Sequence, residues 1–432
     1  MSDRIRRIAI STGGGDAPGL NAVIRAVVIA ASNRDWECYG IRDGVNGILF
    51  SERYPEGGVF RLSRERVRGI GHLGGTILGT TNRGNPMHFP VKMPDGSVRE
   101  VDRTGEIVEF FARKELDALV SVGGDGSLTI AHALHKKGLR VVSVPKTIDN
   151  DLDKTNTTFG FDTAVSFATE CLDRLHSTAE SHQRVMVVEM MGRYAGWIAL
   201  NSGISGSAHA ILIPEIPFDL EQVAAKIRAR DQIGRMYTLV VVAEGAKPAD
   251  GRHAVLEEAG AGHAERLGGV GEWVAKSLQE LTGKEARVVV LGHLLRGGSP
   301  TSFDRLAALR FGAAAVRALE EGYSGVMVAL ALPNVNYVPL EEVAGRMKAV
   351  PLDSDILRTG RDLGICFGDK QARTFGSECF RLTMRPGAPD LGGQGLVSGE
   401  GLRKGLHLGH DVLGPAAILE GQDPTVQLEQ AA

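Results

Sequence analysis

Cysteine is scarce in this chain: four among 432 residues, at positions 38, 171, 366 and 379, with no C-x-x-C pair and no metal-ligand spacing. That argues against a disulfide framework or a zinc module and leads to the expectation of a reduced, cytoplasmic protein. No apolar run reaches the roughly 18 residues that a bilayer span needs, and the opening MSDRIRRIAIST passes straight into a strand pattern with no signal core. No membrane partner is expected. An excess of one charge is missing too: 49 basic residues stand against 52 acidic ones, a net of −3. Nucleic acid is therefore not an expected partner. The G-x-G-x-x-G fingerprint and the Gly-Lys-Ser/Thr of a Walker A loop are not found at the first glycine loop either.

What the chain does have is glycine, 56 residues against a usual share of about 7%, gathered in loops rather than in a repeat. Short β-branched runs alternate with helical patterns: IRRIAIST, LDALVSVG, LRVVSVP, QRVMVVEM, HAILIPE, YTLVVVAEG and RVVVLGH. This predicts an α/β fold of two doubly wound, parallel-sheet lobes with a cleft between them. The expected organisation is a larger lobe from 1–160 with 294–345, a smaller lobe over 161–293, a helical segment over 346–385 and a Gly/Pro-rich tail over 386–432. In such folds ligands sit beyond the carboxyl ends of the strands, and the polar clusters are all expected there.

The first cluster, Thr12 to Gly19, lies between a strand and a helix. Its glycines suit a backbone that turns N–H groups towards a phosphate, and a tight βα turn explains it as well. Gly123-Gly124-Asp125-Gly126-Ser127 repeats the arrangement. There Asp125 suits Mg²⁺, or a plain helix N-cap. Two such loops together point to a polyphosphate–metal site. In VPKTIDNDLDKTNTTFGFDTA, an extended chain would aim Thr147, Asp149 and Asp151 to one side, supplying a base and a metal-organising acid. A turn rich in Asx caps is the alternative. Arg184, Arg193, Arg287, His293 and Arg296 read singly as surface charges and jointly as an anion pocket, with Glu244 suited to a sugar hydroxyl or a buried ion pair. Trp197 is assigned to the core. Residue chemistry alone thus reaches a phosphotransferase acting on a phosphorylated alcohol.

From about residue 5 to about 345 the chain resembles the 6-phosphofructokinases, through STGGGDAPGLNAVIR, GGTILGT, SVGGDGS, PKTIDND, TFGFDTA, SHQRV, MGRYAGW and LGHLLRGGSPTSFDR. PKTIDND and LGHLLRGGSP are the most specific of these. The resemblance implies phosphorylation of fructose 6-phosphate at its 1-hydroxyl by ATP with Mg²⁺. It also implies a homo-oligomer, dimer or tetramer, whose active sites are shared between subunits. In this light Asp149 is the base, Asp125 the metal acid, and Gly15, Arg83, Gly124, Asp125, Gly126 and Ser127 the donor site. Thr147, Lys146 and Arg193 serve the transferring group. Met191, Gly192, Arg193, Glu244, His293 and Arg296 hold the sugar phosphate, with Arg184 and Arg287 reaching into a neighbour's site. Gly126 resembles ATP users and Lys146 pyrophosphate users, so pyrophosphate–fructose 6-phosphate phosphotransfer is the alternative. A sugar-phosphate-binding regulatory subunit without turnover is a more distant one.

Overall fold

The computed structural model describes residues 5–249 and 269–370, together with the backbone segments Val255–Glu257 and Arg266–Leu267. The expected tail over 386–432, and the part of the expected helical segment beyond 370, lie outside the described residues. The helix found within that segment is Asp355–Asp362.

In chain order the strands are β1 (Arg7–Thr12), β2 (Glu37–Ile41), β3 (Val59–Leu62), β4 (Phe89–Lys92), β5 (Val98–Val101), β6 (Ala118–Gly123) and β7 (Val141–Pro145). There follow β8 (Val185–Met190), β9 (Ala210–Leu212), β10 (Thr238–Ala243), β11 (Val255–Glu257), β12 (Arg266–Leu267), β13 (Ala286–Val290), β14 (Val326–Ala331) and β15 (Asn334–Pro339). One sheet of seven runs β15-β14-β7-β6-β1-β2-β3, and one of four runs β13-β8-β10-β9. β14, β7, β6, β1 and β2 are mutually parallel, while the edges β3 and β15 run antiparallel. The four-stranded sheet is parallel throughout. The parallel-sheet expectation therefore holds, with two antiparallel edges added.

Composition explains the central strands. Every residue of β6, β8 and β10 is buried, as Val-rich strands covered on both faces must be. Helices Leu20–Ser32 and Ser302–Glu320 cover one face of the larger sheet with Val23, Val27, Phe311 and Ala315 fully buried between them and it. Strand order reverses between β1 and β6 in the larger sheet, which opens a crevice beyond their carboxyl ends.

Candidate active site

Parallel pairing of β1 with β6, in register from Ile8↔Ala118 to Thr12↔Val122, puts the two glycine loops side by side. Gly13 N–H donates to Val122 O at 2.9 Å. Ser127 packs between the loops, its Oγ lying 2.8 Å from where a Cβ on Gly13 would be. Asp125 opens the helix Asp125–Lys136 rather than capping it, since Gly124 holds the cap position. Its Oδ1 accepts instead from Gly345 N–H at 2.8 Å. Gly126 is exposed, and a Cβ built there meets no protein atom within 4 Å. Thr80 and Thr81 close the side of the first loop: Thr80 Oγ1 donates to Gly14 O at 2.6 Å, and Gly14 N–H to Thr81 O at 2.9 Å. Arg83 follows, exposed, with its backbone N–H on Thr81 Oγ1 at 3.1 Å.

β7 pairs with β6 up to Gly123↔Pro145, and Lys146 N–H donates to Gly123 O at 3.0 Å. The acids thus emerge beside both loops. Their backbone is not the extended chain expected from the sequence: it bends at Ile148 and Asp149 and turns left-handed at Asn150, φ 52°. The short polar side chain of Asn150 tolerates that conformation because its Oδ1 is locally bonded, accepting from Thr158 N–H at 3.2 Å. Burial nevertheless alternates, with Ile148, Asn150 and Leu152 inside and Thr147, Asp149 and Asp151 half-buried towards the loops. Asp149 N–H donates to Thr147 Oγ1 at 3.1 Å.

Asp149 Oδ1 is buried and has no hydrogen-bond partner among the described residues. Burial first, and then the neighbouring Asp151 carboxylate, push Asp149 up to about 7, while Arg296 and Lys146 pull the other way. Asp151 is raised too, by burial, tempered by a hydrogen bond from the Thr147 hydroxyl. Lys146 is 3% exposed, and its ammonium donates to Gly15 O. Burial, aided by Arg296, brings it down to about 8.

The four-stranded sheet contributes the loops after β8, β10 and β13. Glu244 N–H donates to Met190 O at 2.8 Å and Gly245 N–H to Gly192 O at 3.2 Å, which locks the Met191-Gly192-Arg193 loop to the Glu244 loop. A side chain on Gly245 would collide with the Arg193 carbonyl, so only glycine allows this approach. Arg193 stacks over Tyr194 at 4.8 Å, and Met191 packs on the core of this sheet. Glu244 is raised, mainly by burial, with Arg296 and Arg193 opposing. The turn Gly292–Arg296 carries an exposed His293 and a half-buried Arg296. Arg296 Nη1 crosses to the first loop and donates to Asp16 O at 3.1 Å; a Cβ on Gly15 would lie 2.6 Å from it. Arg296 therefore joins the loops of both sheets.

Two expected residues lie elsewhere. Arg184 precedes β8 and Arg287 is the second residue of β13, so both sit at the amino ends of strands whose carboxyl ends bear the site. Both pair with Glu285, Arg184 at 3.1 Å. The expectation that every polar cluster falls at carboxyl ends fails for this pair. Trp197, assigned to the core, is half-buried, and its Nε1 donates to Lys348 O at 2.9 Å. Lys348 itself escaped sequence reasoning. It lies beyond the matching motifs, and only the Met-Lys pair inside a weakly patterned stretch marked it.

Comparison with known proteins gives concordant results. The phosphofructokinase family profile matches residues 7–319. The ATP-dependent 6-phosphofructokinase of Chloroflexus aurantiacus is 50% identical over 370 residues, covering 86% of this chain and 100% of that one. The pyrophosphate–fructose 6-phosphate 1-phosphotransferase of Streptomyces coelicolor is 48% identical over 348 residues, covering 80% and 96%. Among solved structures, phosphofructokinase of Pichia pastoris in the T-state superposes with a TM-score of 0.66 at 31% identity. That match takes in 79% of this chain but only 35% of the Pichia chain.

Proposed function

The chain belongs to the phosphofructokinase family, and from that premise we propose that it phosphorylates fructose 6-phosphate at the 1-hydroxyl, with ATP as donor and Mg²⁺ as cofactor. The observation that carries the reading is the buried, unpartnered Asp149 Oδ1 beside both glycine loops, an acceptor awaiting a proton donor. The sugar hydroxyl supplies that proton. Its oxygen attacks the terminal phosphorus of the donor, the bond to the leaving phosphate breaks, and the proton passes to Asp149. A carboxyl held near 7 is suited to accepting a proton at neutral pH. Lys146, Thr147 and Arg193 face the transferring group, while Glu244, His293 and Arg296 orient the sugar phosphate.

Among the described residues no three His, Cys, Asp or Glu side chains form a metal cage. Mg²⁺ is usually held by one or two carboxylates with substrate phosphates and water, a demand that Asp125 with Asp151 meets. When bound there it neutralises charge on the donor's phosphates.

Relatives named for ATP and for pyrophosphate are similar to this chain at nearly equal identity. The open space at Gly126 favours ATP, because an acid there would project into the room a nucleotide's inner phosphate needs. Lys146 keeps the pyrophosphate alternative open, because the resemblance places a lysine there in pyrophosphate users, though also in one ATP-using branch. We assign the donor role to the loops of the seven-stranded sheet and the sugar-phosphate role to those of the four-stranded sheet. Homo-oligomerisation is part of the proposal, supported by exposed apolar side chains near the site, Val290 at 53%, Leu294 at 63% and Leu306 at 58%. A cytoplasmic location is proposed from the free cysteines Cys38, Cys171 and Cys366. No helix among the described residues is long and apolar enough to cross a membrane.

The test is the purified chain with fructose 6-phosphate and Mg²⁺, offered ATP and pyrophosphate separately, with fructose 1,6-bisphosphate followed. Product from ATP is expected. Product from pyrophosphate alone selects the alternative donor, and none from either leaves only the non-catalytic binding reading.

A further inference from the structure

One short segment with no role so far touches both acids and the Arg193 loop. Within Val343–Val350, Gly345 N–H donates to Asp125 Oδ1 at 2.8 Å and Lys348 N–H to Asp151 O at 2.8 Å. Met347 bridges Leu152 in antiparallel fashion. Val350 N–H donates to Glu215 Oε1 at 2.9 Å, and the same carboxylate accepts from Gly196 N–H at 3.0 Å, three residues beyond Arg193. Trp197 closes the set by donating to Lys348 O.

The Lys348 ammonium is the centre of this segment. It has three donors and three acceptors within reach: Asn150 Oδ1 at 3.1 Å, Thr155 O at 3.0 Å and Asn156 O at 3.3 Å. All three belong to the loop that carries the acids. Asn150 stands between Asp149 and Asp151, in the left-handed conformation that sets the direction of both. The far side of that loop is fixed as well, by Leu330 N–H on Thr155 Oγ1 at 3.0 Å and Leu332 N–H on Asn156 Oδ1 at 2.9 Å. Trp197 flanks the ammonium, its ring centre 5.6 Å from Nζ. A lysine serving only as a plug would need no specific acceptor on the residue that separates two catalytic acids.

We propose that Lys348 is a positioning residue for phosphoryl transfer, holding the Asp149–Asp151 turn through Asn150, while its segment ties that turn to Asp125 and to the Arg193 loop. The proposal rests on the phosphotransfer reading above. Lys348 does not touch the reacting atoms. It acts by fixing where Asp149 Oδ1 points, and a misplacement of about 1 Å at such a group can cost about 100-fold in rate.

Lys348→Met keeps the aliphatic stem and removes the three donors. Its kcat is expected to fall by about 100-fold while KM for fructose 6-phosphate stays within about threefold, since the sugar-phosphate residues are untouched. Asn150→Ala should lose a comparable amount, and the double variant no more than about threefold beyond the larger single loss, as coupled residues do. A folded Lys348→Met enzyme with kcat within about twofold of wild type overturns the proposal, and so do single losses that multiply in the double variant. Should Lys348→Met not fold, Trp197→Phe decides. It removes the N–H on Lys348 O, keeps a ring, and should cost about tenfold in kcat with KM unchanged, whereas an unchanged kcat rejects the inference. A wild-type chain inactive with both donors would instead sink the phosphotransfer reading.

Discussion

At the scale of single residues, the burial of Asp149 costs stability at neutral pH. Its folded-state value of about 7 lies above the ordinary 3.8, so between these pH values the folded protein binds more protons than the unfolded chain. The favourable contribution of the neutral carboxyl is complete below about 4 and lost as pH rises through about 7. Asp149→Asn should therefore melt closer to wild type at pH 5 than at pH 8, where it should be the more stable protein, without Mg²⁺ or sugar phosphate present. Equal differences at the two pH values would remove the burial argument. Asp149→Ser should lower kcat by about 10²–10⁴-fold with little change in fructose 6-phosphate affinity, as for loss of a positioned base. Gly126 offers a cleaner substitution, because its surroundings leave room for a side chain. Gly126→Asp should fold normally and lose kcat/KM for ATP selectively, and an equal loss with pyrophosphate would reject the steric account of donor choice. Asp125, Asp149 and the glycines could be read from the sequence because each stands beside a strand end that its neighbours announce. The turn at Asn150 could not, since its conformation is set by Thr158 and by Lys348, 198 residues away.

Elements of this fold exchange their helix caps. The helix Phe161–His182 has Gly160 at its cap position and no side-chain cap of its own. Asp304, in the first turn of Ser302–Glu320, supplies one: its Oδ2 accepts from Thr163 N–H at 2.7 Å and Thr163 Oγ1 at 2.6 Å. Thr301, the cap of that second helix, donates its hydroxyl to Asp162 Oδ2 at 2.6 Å. Fully buried, Asp304 joins the helix leaving the acid loop to the helix after the Arg296 turn. Asp304→Ala should cost about 1.5–3 kcal/mol, the worth of hydrogen bonds to a charged group, read as a lower midpoint in urea. An unchanged midpoint would show the reciprocal caps to be redundant. Seven strands, β1, β6, β7, β8, β9, β10 and β13, were legible from their β-branched runs, with β6, β8 and β10 the plainest. The edges β3 and β15 were not, because half-exposed strands such as NVNYVP carry no continuous apolar signal and owe their place to pairing with β2 and β14.

For the whole molecule the decisive feature is the placement of Arg184 and Arg287. β8 separates Arg184 from Met191 by six residues, about 20 Å at the usual strand rise. The arginines and the Glu244–Arg296 cluster of the same chain thus stand at opposite ends of these strands. Both are held at one edge by the shared carboxylate of Glu285, and Arg287 stays 59% exposed on β13, the outer strand of its sheet. Two guanidinium groups gathered on one carboxylate, one of them exposed on an outer strand, suit a phosphate presented by a second copy. If each copy lends these arginines to the other, a subunit carrying Asp149→Ser and one carrying Arg287→Ala have complementary defects. Each pure variant should be nearly inactive at low fructose 6-phosphate. Co-refolded at equal amounts they should regain activity, because a hybrid pair holds one site with both defects and one site with none. About a quarter of wild-type activity is expected for random pairing into dimers with independent sites, half the pairs being hybrid and each having one of two sites intact. Activity no greater than the mean of the two pure variants would place the arginines outside the neighbour's site and confine catalysis to the residues gathered within one chain.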